Sequence, residues 1–278
     1  MMRGEDRWAV AVRAPHGGIE VMTAPLPTFA ARWKKVPLLR GLIAIAEAMP
    51  LGARALAWSA VHGLGQADRR KSIGERVVTA LRLGLLALGV LVLPTYGAEL
   101  LVGGLRNGLV TGVMENVLSV GVLLGYAAAI GRFAQLRRLF ENHGAEHKVV
   151  AAFEAGVELT PENAAVFSTR HVRCGTSLII VIAVVAAALS VLHLPGLVAL
   201  PLIAAVSAEL QLRASANTHR AWVRTLVAPG LALQRVTTRQ PSAAQLEVAI
   251  VALRAAYGEV DTASAIQPSS SVLVAVPA

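Results

Sequence analysis

In "ENHGAEHKVV" (residues 141–150) two histidines stand four residues apart, with a glutamate beside the second. A helix would turn His143 and His147 to the same face, one turn apart, where two imidazoles can grip one metal ion. The string H-G-A-E-H also fits the H-x-x-E-H pattern of inverted zinc metallopeptidases, which casts Glu146 as a general base. Five residues with two free positions make a weak motif. The competing reading is a helix face whose histidines hydrogen-bond neighbouring helices or phospholipid. Glu154 lies on the same stripe, but about 10 Å beyond His147, too far to join the same ion on a straight helix. Further ligands must come from elsewhere, and "RHVRCGTS" (170–177) is the best source. His171 and Cys174 would complete a set of three imidazoles and a thiolate, which suits zinc better than the oxygen-preferring magnesium or calcium. Arg173 and Glu209 are supporting candidates. Glu209, an acid near the end of an apolar run, could be a ligand, an acceptor behind a ligand, or a partner for Arg173.

The elements that must position these residues are apolar. The chain has 278 residues, of which 55% are hydrophobic, 15% charged and only 4% aromatic. Soluble domains are typically about 25% charged, and this mass of Ala, Leu and Val is normal for membrane helices. The net charge of +9 comes from basic residues that flank apolar runs. That pattern suits a cytoplasmic membrane face and the lipid bilayer as partner, not nucleic acid. A single cysteine excludes an intramolecular disulfide. The opening "MMRGEDRWAV" lacks the apolar core of a signal peptide.

The expected fold is mainly α: a polytopic helical membrane protein with about four transmembrane helices, one interfacial or re-entrant helix and a small N-terminal β-hairpin. Residues 1–37 hold the hairpin, where "RWAVAVRAPHGGIEVMT" (7–23) alternates around a PHGG turn. Residues 38–76 form the interfacial helix and a basic loop. Arg40, Glu47 and Arg54, seven apart, share a face, and Pro50 interrupts the run. The spans are expected at 77–94 and 108–131 (within a 77–131 unit) and at 176–194 and 197–212 (within 176–212). The 132–175 loop carries the His/Glu/Cys cluster on a helix ending near Gly156, followed by a fresh start at "LTPEN" (159–163) with Thr160 as cap. Residues 213–278 hold a C-terminal amphipathic helix, "QPSAAQLEVAIVALRAAYG", and a disordered tail.

Loop charges set the orientation. Twelve Lys/Arg precede residue 77, one (Arg106) lies in 95–107, six in 132–175, none at 195–196 and six from 213 onward. Both termini and the 132–175 loop are therefore expected on the cytoplasmic side of a bacterial inner membrane, in a multi-pass protein.

"HGAEHKVVAAFEAGVELTPEN", "HVRCGTS" and "PGLALQRVTTRQP", in that order, resemble the bacterial YqhQ-like membrane proteins, a domain of unknown function. The opening "MMRG" and "VPLLRGLIAIAEAMPLGARAL" resemble the family's first region, so the likeness covers roughly residues 1–255. It implies a metal-dependent enzyme, with His143, Glu146, His147, Glu154, His171, Arg173, Cys174 and Glu209 at motif positions. The chain departs from the pattern twice. A glycine-rich stretch that usually precedes "MMR" is absent, and Val172 stands where proline is usual.

Two functions compete. One is a membrane-bound zinc hydrolase with Glu146 as base. The other is a non-catalytic membrane scaffold or assembly factor, held by a structural metal or a hydrogen-bond cluster and able to meet a protein partner or a second copy. An enzyme needs an open metal position, and four protein ligands would close it. A transporter fits less well, since the spans are few and no inverted repeat is visible.

Overall fold

The computed structural model describes residues 1–26, 35–63, 108–190, 194–218 and 220–259, with isolated positions at 89, 96, 100 and 192. Three antiparallel strands come first: β1 (Met2–Arg3), β2 (Arg7–Arg13) and β3 (Ile19–Pro25). The expected hairpin is β2–β3, paired in full register from Arg7↔Pro25 to Arg13↔Ile19. Gly17, at φ 91°, supplies the left-handed residue of its turn. The short β1 adds a third strand through Met2↔Ala9 and Arg3↔Trp8.

Eight helices follow among the described residues: α1 (Leu39–His62), α2 (Gly108–Ile130), α3 (Ala134–Glu154), α4 (Pro161–Ala165), α5 (Gly175–Ser190), α6 (Gly196–Ala216), α7 (Ala221–Thr237) and α8 (Ala243–Ala256). Several starts are written in local chemistry. Thr160 caps α4 by accepting from Asn163 N, with Pro161 in the first turn. Ser242 and Gln245 form a capping box on α8. Beyond α3, Gly156 sits at φ 68°, where a glycine ends a helix cheaply.

Two cores hold the polar half. The larger joins the sheet to α3, α4 and α8 through Met2, Ala9, Ala145, Val149, Ala164, Leu246 and Leu253. The smaller sets Trp8, Val10 and Leu26 against Leu51 and Ala55 of α1. The remaining helices pack as a bundle in which α5 touches α2, α6 and α7, and α1 meets α6.

The expectation of four spans is corrected here. Among the described residues only α1 and α6 are long and apolar enough to cross a membrane, and only 22% of each apolar window is buried within the protein. The stretch expected to be the clearest span, 176–194, is a helix of 16 residues, about 24 Å against the ~30 Å of hydrocarbon. Pro195 follows close behind and begins the next helix. In α2 the apolar stretch is similarly short, Val117–Ile130. The expected span 77–94 lies outside the described residues apart from position 89. The expected interfacial or re-entrant helix at 38–61 is one continuous helix of 24 residues that runs on through Pro50. Two of its three striped charges are neutralised by other elements. Arg40 binds Glu209 of α6, and Glu47 binds Arg3 of β1.

Candidate metal centre

Three elements bring the site together. α3 presents His143 and His147 one turn apart, the 169–174 turn brings Cys174 to the start of α5, and the end of α7 supplies a backbone wall. α3 can approach that wall because of Gly144. A Cβ there would collide with the Arg239 carbonyl, and Arg239 N in turn donates to the Phe140 carbonyl at 3.0 Å.

His143 Nδ1 is 2.9 Å from the Thr237 carbonyl and His147 Nδ1 is 2.6 Å from the Thr169 carbonyl. A carbonyl can only accept, so each Nδ1 carries a proton, and in the neutral tautomer this sets, the lone pair lies on Nε2. His143 Nε2 lies 3.2 Å from Cys174 Sγ. One ligand atom from each of His143, His147 and Cys174 falls within 4.8 Å of the others. A tetrahedral zinc, with its nitrogens at ~2.0–2.1 Å and sulfur at ~2.3 Å, spaces N and S by about 3.5 Å. The His143–Cys174 pair needs to open by only a few tenths of an ångström to fit it.

Electrostatics prepares the sulfur. Burial pushes the Cys174 thiol up, but hydrogen bonds from His143, His147 and Thr176 and the charge of His143 outweigh it and bring the pKa to about 5. Burial pushes His143 down in turn, and the hydrogen bond and charge of Cys174, with the Thr237 carbonyl and Glu146, leave it raised. At neutral pH Cys174 is then a thiolate, the form that binds metal or attacks an electrophile.

The other expected residues take different places. His171 Nε2 is 3.1 Å from Glu154, and its Nδ1 accepts from Arg173 N at 3.3 Å, so both ring nitrogens are engaged away from the cluster. Glu154 also holds Arg173 at 2.6 Å. Glu146 is 41% exposed, with the Met1 amino group 3.8 Å away. Glu209 lies on α6, where it accepts from Arg40 at 2.6 and 2.8 Å and from Arg213 at 2.7 Å. It joins α1 to α6 and does not reach the cluster.

Two supports were missed in the sequence. Gln234 on α7 is fully buried: its Oε1 accepts from His171 N, and its Nε2 donates to the His171 carbonyl and to Ser177 Oγ, all at 2.8 Å. This clamp fixes the turn that carries Cys174. Lys148, also buried, donates to the Ala165 and Phe167 carbonyls at 2.6 and 2.5 Å and secures the approach to Thr169. A glutamine in "LALQRVTT" carries no signal of its own, because its role depends on a helix that the sequence reading did not separate from the C-terminal region.

A family model described as "Protein of unknown function (DUF1385)" matches residues 36–259. A relative from Bacillus subtilis (strain 168), described as "Uncharacterized protein YqhQ", is 28% identical over 280 residues, covering 90% of this chain and 86% of its own. No solved structure matches significantly.

Proposed function

The chain belongs to the DUF1385 family, and from that premise we propose that it is a bacterial inner-membrane zinc hydrolase working at the cytoplasmic surface. The observation that carries the metal is the tautomer lock. Both histidines donate Nδ1–H to backbone carbonyls, which turns Nε2 toward a thiolate. Metal-binding histidines are commonly oriented this way, through the nitrogen that does not bind. His171 is committed to Glu154 and Arg173, so His143, His147 and Cys174 make a three-ligand set with one position left for water or substrate. That is the arrangement of catalytic zinc, while four-ligand sites are structural. When bound, the ion supplies Lewis acidity toward a scissile carbonyl or phosphoryl oxygen. Glu146, next to His147 on α3 and open to solvent, takes the proton of the attacking water.

The membrane reading rests on apolar surface that nothing among the described residues covers. Leu197 (91%) and Leu200 (70%) on α6 are exposed, as is Val184 on α5, and lipid is the solvent such faces suit. Among these apolar helices the site lies where Cys174 opens α5, met there by His143 of α3. The second half of α1 packs on the sheet through Leu51 and Ala55, which favours α1 lying along the membrane surface and α6 entering the bilayer.

The scaffold reading keeps one specific support: a metal here would also tie α3, the 169–174 turn and α7 together, as Gln234 already does. Cobalt(II) substitution separates the two. The catalytic reading gives a thiolate charge-transfer band that disappears in Cys174→Ser, and d–d bands that shift when azide is added. Bands unmoved by azide would leave the metal structural and the enzyme reading without its open position.

A further inference from the structure

One turn beyond Cys174 the bundle holds an apolar cavity of about 70 Å³ between α5, α6 and α7. Its walls include Ser177, Val181 and Val184 of α5, Gln211 of α6, and Val227 and Gly230 of α7. It follows α5 from Ser177 to Val185, a rise of about 12 Å. The volume is on the order of five times what holds one water, and apolar cavities of this kind stay dry and take apolar guests. The two polar wall residues both sit at the end nearest the metal centre. Ser177 N donates to the Cys174 carbonyl, and Gln211 Nε2 donates to the Val172 carbonyl at 2.7 Å. Ser177 Oγ already accepts from Gln234, but Gln211 Oε1, on a residue more than nine-tenths buried, has no partner among the described residues. At Gly230 a Cβ would press on the Ser177 side chain at 2.9 Å, so α7 closes against α5 here and needs a glycine to do so.

A narrow apolar slot with an unmet hydrogen-bond acceptor at its polar end is shaped for a chain with a donor at its head. We propose that the cavity takes the acyl chain of a monoacyl lipid. The tail lies toward Val184 and Val185, and a headgroup hydroxyl or amide N–H donates to Gln211 Oε1. This places the lipid head one turn from Cys174. That the lipid is substrate rests on the hydrolase reading; that it binds does not. The surrounding solvent favours this occupant, since the outer face of α6 is itself apolar and exposed.

The test uses full-length protein in phosphatidylglycerol nanodiscs and a long-chain monoacylglycerol carrying a diazirine near its chain end. Illumination should attach the probe to peptides containing Val181–Val185 and Val227–Gly230. Val181→Trp fills the slot and should cut that labelling about tenfold, with Val184→Phe as a milder variant should the first fail to fold. Leu200→Trp, on the exposed face of α6, should leave it unchanged. Label spread evenly over every exposed apolar face, or unmoved by both filling variants, overturns the assignment and makes the cavity a packing gap. Zinc measured in the same samples separates the two proposals. Slot-specific labelling without zinc keeps the lipid and removes the hydrolase, whereas zinc without slot-specific labelling removes the lipid alone.

Discussion

Replacing the glycine inside a helix with alanine ordinarily stabilises it by roughly 1 kcal/mol. At Gly144, in the middle of α3, the sign should reverse. A Cβ there would collide with the Arg239 carbonyl and stand 3.3 Å from Thr169 Cγ2. The obstructing atom is backbone, held by the Arg239 N to Phe140 carbonyl bond across the same contact, so the wall cannot swing aside like a flexible side chain. Overpacking of this kind costs about 1–3 kcal/mol. With backbone in the way the cost sits at the upper end of that range, so against the propensity gain Gly144→Ala should lose a net ~2 kcal/mol and lower the melting temperature by about 4–8 °C. Moving the 237–239 backbone also draws the Thr237 carbonyl from His143 Nδ1, so zinc affinity measured by chelator competition should fall at least about tenfold. Gly121→Ala on α2, where a Cβ meets nothing within 4 Å, is the control and should stabilise. Equal stabilisation by the two substitutions would show that α3 is not pressed against Arg239, and the account of how His143 is oriented would fail with it.

Other expectations follow from the same geometry. In metal-free protein the Cys174 thiol, brought to about 5, should react with iodoacetamide at a rate that is flat from about pH 6 to 8; a rate rising steeply over that range would deny the thiolate. The sign for stability is that of a depressed acid: Cys174 supports the fold fully above the unfolded value near 9.0, and this support is lost as pH falls toward about 5. Glu209→Ala leaves Arg40 and Arg213 without their shared acceptor. Because both guanidiniums reach solvent, the cost should be about 1–3 kcal/mol by denaturant melt, with metal content unchanged; loss of metal would return Glu209 to the site. A reporter fused after residue 160 should read cytoplasmic, and a periplasmic signal there would overturn the orientation.

What could be read from the sequence was whatever short-range chemistry decides. The PHGG turn, the Thr160 cap and the i, i+4 histidines depend on residues a few positions apart, and the structure has the hairpin, the helix start and the shared face. Cys174 could be placed beside the histidines because both segments meet the same end of an apolar helix. Partner choice at long range was not legible. His171 and Cys174 are three apart, yet one turns to Glu154 and the other to His143, because the Gln234 clamp fixes the turn between them from 63 residues away in sequence. The span count missed for a related reason. Hydropathy reads 176–194 as one run but does not weigh the break before Pro195.

The central claim is that three particular side chains, and not a fourth, hold one metal. Metal analysis after purification in mild detergent, with the common divalent ions offered, tests it directly when wild type is compared with His143→Ala, His147→Ala, Cys174→Ser and His171→Ala, each shown folded by circular dichroism. Wild type and His171→Ala should carry about one zinc per chain, and the other three should carry close to none. Metal-free wild type, or His171→Ala as empty as His147→Ala, would contradict the account.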